Sequence, residues 1–369
     1  MWVRLKNKLR AVKDKWHNLS KKKKILVSAI TVLVVAALVV GGFLLFPSKP
    51  APVAKKVAIA KPIIIKPVST TVASPLTGLL VSPAEAKLTV TGIMVENSDQ
   101  ARPQSGLSQA GIVFEALAEG GITRFLAIFQ GNQSGSIGPV RSARPYFIDW
   151  LLPFDAGYAH VGGSPTALSE ITSDNVRDMN QFYFSNSYTR ISSREAPHNV
   201  YTSLNSLSTL EQSQGWTTSS FTGFPRKADD PSKTPTATNI NFNPSNSDMA
   251  VNYVYDPSVN SYKRSEGGTP MVDANSNQQL QPNVVIAMVV PWTDGALDSS
   301  DAYYTDYSDI GSGAVYVFQD GTVTQGTWEK ASTTSQLEFN TDSGAPINLN
   351  AGQTWITVLG DSSEITYSD

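Results

Sequence analysis

Two arginines three residues apart, Arg141 and Arg144, stand in the run Ile137-Gly138-Pro139-Val140-Arg141-Ser142-Ala143-Arg144-Pro145-Tyr146. A guanidinium is a planar fork of donors that grips phosphate or carboxylate at two points. Pro145 has the fixed φ of a first helical position. The pair is therefore expected just before a helix N-terminus, where backbone N–H groups attract anions. The run reads as an anion-binding turn; the competing reading is that both arginines close structural salt bridges to nearby acids. Ser142, between them, and Ser164, beside Gly162-Gly163, lack the strand-turn-helix context of an activated serine nucleophile.

Other side chains could converge on the same anion. Arg124 is the nearest in character, with Arg102 a weaker fourth, and Glu96, Glu115, Glu119 and Asp149 are the acids that would pin them. Glu115 and Glu119, at i and i+4, share a face whether the segment is strand or helix. Two carboxylates on one face would hold Mg²⁺ beside a phosphate; the plainer reading is that both are solvated or salt-bridged. His160 and His198 are the only histidines beyond the N-terminal leader. They read either as a general base or metal pair, or as hydrogen-bonded site-lining residues. Trp328, Trp355, Tyr316 and Phe318 suggest a sugar-stacking face or, more simply, core. Asp294, Asp298, Asp301, Asp306 and Asp309 lack the ligand spacing of a calcium loop and read as a solvated loop.

The chain that must position these groups has 369 residues and a formal charge of -2. Residues 1–24 hold ten of the 29 Lys and Arg against one acid, Asp14, which leaves the remainder acidic and argues against nucleic-acid binding. There is no cysteine. That excludes disulfides, thiolate metal sites, a cysteine nucleophile and a lipidated cysteine anchor. Residues 25–46 carry no charge and, as a helix, span roughly 33 Å, enough for a bilayer. With Lys21–Lys24 held in the cytoplasm, the C-terminal bulk is expected outside. Phe46-Pro47 follows in place of a small-residue cleavage site, which favours an uncleaved anchor over a signal peptide. Residues 47–75 are rich in proline and read as an extended stalk.

Two folded regions are expected beyond the stalk. Residues 76–215 read as an α/β domain, a mixed sheet with helices: strands near Thr89–Glu96, Gly111–Glu119 and Ile122–Gln130, the last two joined tightly at Gly120-Gly121. A helix through Leu107–Leu117 is the alternative for the first member of that pair. Ser164-Pro165 has N-cap chemistry, and Thr202 precedes a helical face of Leu204, Leu207 and Leu210. Residues 216–248 read as a linker, and 249–369 as a β-rich domain in which Asp320-Gly321 is a two-residue hairpin signal.

Glu96-Asn97, Ala101–Leu107, Glu115-Ala116, Glu119–Arg124, Gly138–Tyr146, His160–Ser164 and Ala196-Pro197-His198-Asn199 together resemble the YerB-like family. Gly326–Lys330 and Gly352–Ile356 extend that resemblance over about residues 75–360. It implies a bacterial, extracytoplasmic protein, membrane-anchored or a lipoprotein, of unassigned activity. The order of acidic strand, hairpin and Arg run is more loosely similar to the LytR-CpsA-Psr phosphotransferases. That second resemblance implies arginines on a polyprenyl pyrophosphate, Mg²⁺ on Glu115 or Glu119, and a histidine handling a proton.

The function expected is that of a single-pass cell-membrane protein, its N-terminus cytoplasmic, whose outer α/β domain binds an anionic envelope glycan or lipid-linked precursor. Glu96, Arg102, Glu115, Glu119, Arg124, Arg141, Ser142, Arg144, His160 and His198 form the expected ligand site. An envelope protein is a further expected partner. No cofactor is expected, Mg²⁺ entering only with the phosphotransferase alternative.

Overall fold

The computed structural model describes residues 12–45, 70–131, 133–297 and 303–369. Residues 1–11 of the basic leader and most of the proline-rich stalk lie outside that set. Lys21–Leu45 is one helix (α1), with side chains described as far as Leu38. Its uncharged run is helical from Ile25 to Leu45. Among the described residues no helix is long and apolar enough to cross a membrane. The span predicted at 25–46 extends into residues 39–46, whose side chains lie outside the described part.

Residues 69–369 form a separate compact unit. Its backbone is a ten-stranded mixed sheet. In chain order the strands are Val90–Glu96 (β1), Ile112–Leu117 (β2), Thr123–Gln130 (β3), Gly157–His160 (β4), Arg177–Asn180 (β5), Val284–Val289 (β6), Gly311–Gln319 (β7), Thr322–Lys330 (β8), Glu338–Thr341 (β9) and Thr354–Leu359 (β10). They lie in the order β9-β8-β7-β6-β10-β2-β3-β1-β4-β5. The strand β10 runs parallel to both its neighbours, β6 and β2, so the two halves of the sequence share one sheet. The linker predicted at 216–248 is thus a boundary in sequence that the sheet itself crosses.

The central strands are buried on both faces: every residue of β1, β2 and β10 is buried. Such strands read as continuous apolar runs, and VTGIMVE, IVFEAL and TWITVL do so with single polar interruptions. One face is covered by the helices Pro145–Leu151 (α2) and Pro165–Ser173 (α3), through Tyr146, Phe147, Trp150, Ala167 and Ile171. The other is covered by the helix Leu204–Ser213 (α4) and a five-stranded antiparallel sheet containing Val251–Asp256 and Ser261–Glu266. Ser164 caps α3, accepting from the Ala167 N–H at 3.2 Å. The cap of α4 is Ser203, one residue later than predicted, and Leu204, Leu207 and Leu210 are buried on the expected face.

Both predicted tight turns form. Gly120 and Gly121 have φ of 62° and 71° between β2 and β3. Asp320 and Gly321 have φ of 57° and 75° between β7 and β8, the mirror-image turn that suits strand twist. Leu107–Gln109 is one 3-10 turn and β2 follows it, so the helical alternative is excluded. Residues 70–75, predicted as the end of the stalk, contribute a short strand, Val72–Ala73, paired with Leu80–Val81.

Candidate functional site

The Arg run is extended along most of its length. The N–H of Val140 donates to Val200 O at 2.7 Å, that of Arg141 to Met94 O at 3.0 Å, and that of Ala143 to Gly162 O at 2.9 Å. Side chains an odd number of residues apart on extended backbone leave on opposite sides. Arg141 and Arg144 accordingly part company, which corrects the reading of one two-pronged anion grip. The helix that follows, α2, has only seven residues, and its N-cap Arg144 makes no capping hydrogen bond.

Arg144 turns instead to Glu119, with which it pairs, and Arg124 Nη2 reaches the other oxygen of the same carboxylate at 2.8 Å. Arg124 also donates to Ser142 O at 2.8 Å and Arg144 to Ala143 O at 2.6 Å. Both arginines are almost fully buried. For these two the salt-bridge reading holds: they lash the β2–β3 turn to the Arg run. Ser142 contributes a carbonyl to that tie.

Glu115 and Glu119 do not come together. Glu115 is wholly buried and bound by Arg264 Nη2 at 2.9 Å, Trp355 Nε1 at 2.9 Å, and the hydroxyls of Thr123 and Thr357 at 3.2 Å each. Both its oxygens are occupied, so the predicted Mg²⁺ pair is not formed. Among the described residues no group of three or more His, Cys, Asp or Glu side chains could hold a metal ion. Arg264 is sandwiched as well, its guanidinium carbon 4.5 Å from the Trp355 ring centre and 5.4 Å from that of Tyr253. Burial tends to lower its pKa, but Glu115, Tyr253 and Glu266 outweigh that and push it up.

His160 is fully buried, Nδ1 at 2.7 Å from Gly162 O and Nε2 at 2.9 Å from Asp178 Oδ1. It joins β4 to β5 and does not meet His198. Arg102 is committed to Asp99 at 3.3 Å and Glu266 at 3.0 Å, and donates to Asn97 O at 3.1 Å.

What remains is a smaller group: Arg141, Glu96, His198 and Ser98. Glu96 ends β1 and is 5 % exposed. Its Oε1 accepts from Ser98 Oγ at 2.8 Å, lies 2.8 Å from His198 Nδ1, and is 3.5 Å from Arg141 Nε. Its Oε2 is shielded from solvent and has no hydrogen-bond partner, and the same is true of Arg141 Nε. The Arg141 side chain is about a quarter exposed (26 %), and its guanidinium makes no hydrogen bond among the described residues. Burial, helped by Arg124, holds its pKa below the ordinary guanidinium value against the pull of Glu96. The Glu96 carboxylate thus fixes the orientation of the His198 ring, as carboxylates do for working imidazoles. The loop carrying His198 is tied down by Arg194, which donates to Gln100 O and to Pro103 O at 2.8 Å. A cation, a carboxylate-held imidazole and a spare carboxylate oxygen thus meet at the end of β1.

Two family models match the chain in tandem, the N-terminal domain of the DUF3048 proteins of unknown function at residues 76–217 and the C-terminal domain of the same proteins at 238–356. The chain is 31% identical to YerB, a protein of Bacillus subtilis (strain 168) named as a candidate lipoprotein, over 292 residues, or 78% of this chain and 86% of YerB. The chain belongs to the DUF3048 family. The crystal structure of Bacillus subtilis YerB superposes with a TM-score of 0.71 at 30% identity, covering 81% of this chain and 100% of that one. The resemblance drawn from the sequence motifs is therefore a family relationship, and the mixed, sheet-rich fold is shared with a DUF3048 protein of known structure.

Ser98 and two further groups escaped the sequence reading. Arg264 was not singled out, because its partner Glu115 is 149 residues away and nothing local marks either as paired. Asp309, assigned to a solvated loop, is buried, and its pKa is raised to about 7 by burial and by Asp149. Asp298 and Asp301 lie outside the described residues. Trp328 and Trp355, at 1 % and 0 % exposure, are core residues.

Proposed function

We propose that this DUF3048 protein is an extracytoplasmic, membrane-tethered module whose Arg141–Glu96–His198 cluster receives an anionic group borne by an envelope glycan or a lipid-linked precursor. The observation that carries the reading is Arg141, a half-buried cation whose guanidinium has spare donors in a domain where Arg124, Arg144 and Arg264 are already neutralised by carboxylates. A phosphate or carboxylate would accept from it in place of water. The imidazole of His198 would contact the same group or a neighbouring hydroxyl. Tethering rests on a separate argument: the YerB name describes a lipoprotein, whereas this sequence has no cysteine to carry a lipid. The apolar helix α1, continued through residues 39–46, would serve instead, with Lys21–Lys24 on the cytoplasmic side. An envelope-protein partner fits the same location.

The test uses the full chain in detergent micelles, retained on immobilised poly(glycerol phosphate) with dextran as the neutral control. Wild type is expected to be retained on the anionic polymer alone. Arg141→Ala should weaken retention on the order of tenfold, the loss of one charge-assisted contact, with melting temperature almost unchanged. Undiminished retention by a folded Arg141→Ala protein would remove the cluster as the site. Release of polyprenyl phosphate from a polyprenyl-pyrophosphate glycan, abolished by His198→Gln, would replace binding with transfer.

A further inference from the structure

Six separated segments of the 69–369 unit line a cavity of about 1080 Å³ that shares no residue with the Arg141 cluster. Its wall is made largely of carboxamides. Gln109, Gln130, Gln133, Gln279, Gln281 and Gln353 line it, six of the fifteen glutamines in the chain, and Asn283 adds a seventh amide. Among the described residues no basic and no aromatic side chain lines it, and the only ionisable groups are Glu85 and Asp229.

The amides fall into two sets. Some are anchored through nitrogen: Gln353 Nε2 donates to Leu107 O at 2.8 Å and Ala110 O at 2.7 Å, Gln130 Nε2 to Ala86 O at 3.1 Å and Leu88 O at 3.0 Å, and Gln279 Nε2 to Arg264 O at 2.8 Å. Others are uncommitted: the side chains of Gln109 and Gln281 make no hydrogen bond among the described residues. Gln130 Oε1, Gln133 Oε1 and Gln281 Nε2 are shielded polar atoms without a partner. Native proteins leave few such atoms, and each calls for an explanation. A small rotation of these amides toward the cavity would pair them with a ligand.

An amide offers one donor group and one acceptor and no charge. A wall of them selects a neutral ligand dense in groups that both donate and accept, which is the chemistry of sugar hydroxyls. The missing cations discriminate against phosphate and carboxylate polymers. Leu79, half exposed, and Val81 supply an apolar strip for the C–H face of a sugar ring. Extended peptides are captured mainly by backbone hydrogen bonds along an unpaired strand edge, whereas the polar groups here are chiefly side-chain amides. We infer that this cavity binds an uncharged oligosaccharide.

The inference is independent of the Arg141 site and can fail without it. The full chain in detergent is titrated with chitohexaose and with maltohexaose by calorimetry, and hydrogen exchange is followed in parallel. At least one sugar is expected to saturate, with new exchange protection at residues 108–111 and 130–134. The Gln109→Leu/Gln281→Leu variant, which removes no framework hydrogen bond, should bind that sugar roughly tenfold more weakly. Arg141→Ala should bind it as wild type does. Absence of saturation by both sugars at millimolar concentration, unchanged affinity in the double glutamine variant, or protection induced instead by an uncharged peptide would overturn the inference.

Discussion

Arg264→Met is expected to lower the melting temperature of the 69–369 unit by roughly 10 °C. Removing one partner of a buried ion pair costs about 3–5 kcal/mol, because the other charge is left in a medium that cannot solvate it. Glu115 would be that orphan. It is 0 % exposed, and the Trp355, Thr123 and Thr357 donors do not neutralise it. Glu266 would suffer less, since Arg102 at 3.0 Å and Asn97 Nδ2 at 2.6 Å remain. Glu115→Gln alone should also destabilise, by leaving Arg264 with Glu266 only. Combined with Arg264→Met it should recover part of the loss, because both charges then leave the core together. The thermal melts of the two single variants and the double variant form a cycle; simple addition of the two losses would show that the pair is not coupled.

Asp320→Asn should cost about 2–3 kcal/mol at neutral pH, through loss of charge at the centre of a network. The Asp320 carboxylate takes Lys227 Nζ at 2.5 Å, Asn260 Nδ2 at 2.8 Å and Asn350 Nδ2 at 2.7 Å. Asparagine tolerates the positive φ of this turn, so the substitution tests charge with little backbone effect. Burial by itself would raise the Asp320 pKa, but the hydrogen bonds from Lys227, Asn260 and Asn350 outweigh it and hold the pKa below the ordinary carboxyl value. The sign of the pH dependence follows. A carboxyl that is more acidic folded than unfolded contributes its full stabilisation above the unfolded value of about 3.9, and loses it as pH falls through the folded value. The gap in melting temperature between wild type and Asp320→Asn should therefore be widest at neutral pH and close below about pH 4. A gap that stays constant from pH 7 to pH 3 would rule out the carboxylate charge as its cause.

What the sequence made legible was local. Gly120-Gly121 and Asp320-Gly321 specify tight turns through residues that accept positive φ, and Ser164-Pro165 starts a helix. Strand order was not legible, because nothing in Thr354–Leu359 states that its neighbours will be residues 112–117 and 284–289. The Arg run shows the same limit at the site. Pro145 correctly announced a helix, but whether the preceding residues are coiled or extended decides which way Arg141 and Arg144 point, and that is set by contacts with Met94, Gly162 and Val200. Glu96 and His198 were both singled out from the sequence; their approach to 2.8 Å across 102 residues depends on the three-dimensional path between them.

The position of β10 also governs when this molecule can become itself. Residues 354–359 lie between β6 and β2, so the sheet remains two separate pieces until nearly the whole chain has been made. Trp355, which covers Arg264 and donates to Glu115, arrives with that strand. A ribosome-bound chain therefore exposes the strand edges of β2 and β6 and an uncapped buried charge, a state prone to aggregation and proteolysis. Native pairings of such large sequence separation form slowly. A chain interrupted before residue 354 should be a substrate for quality-control proteases, whatever its remaining sequence can pack.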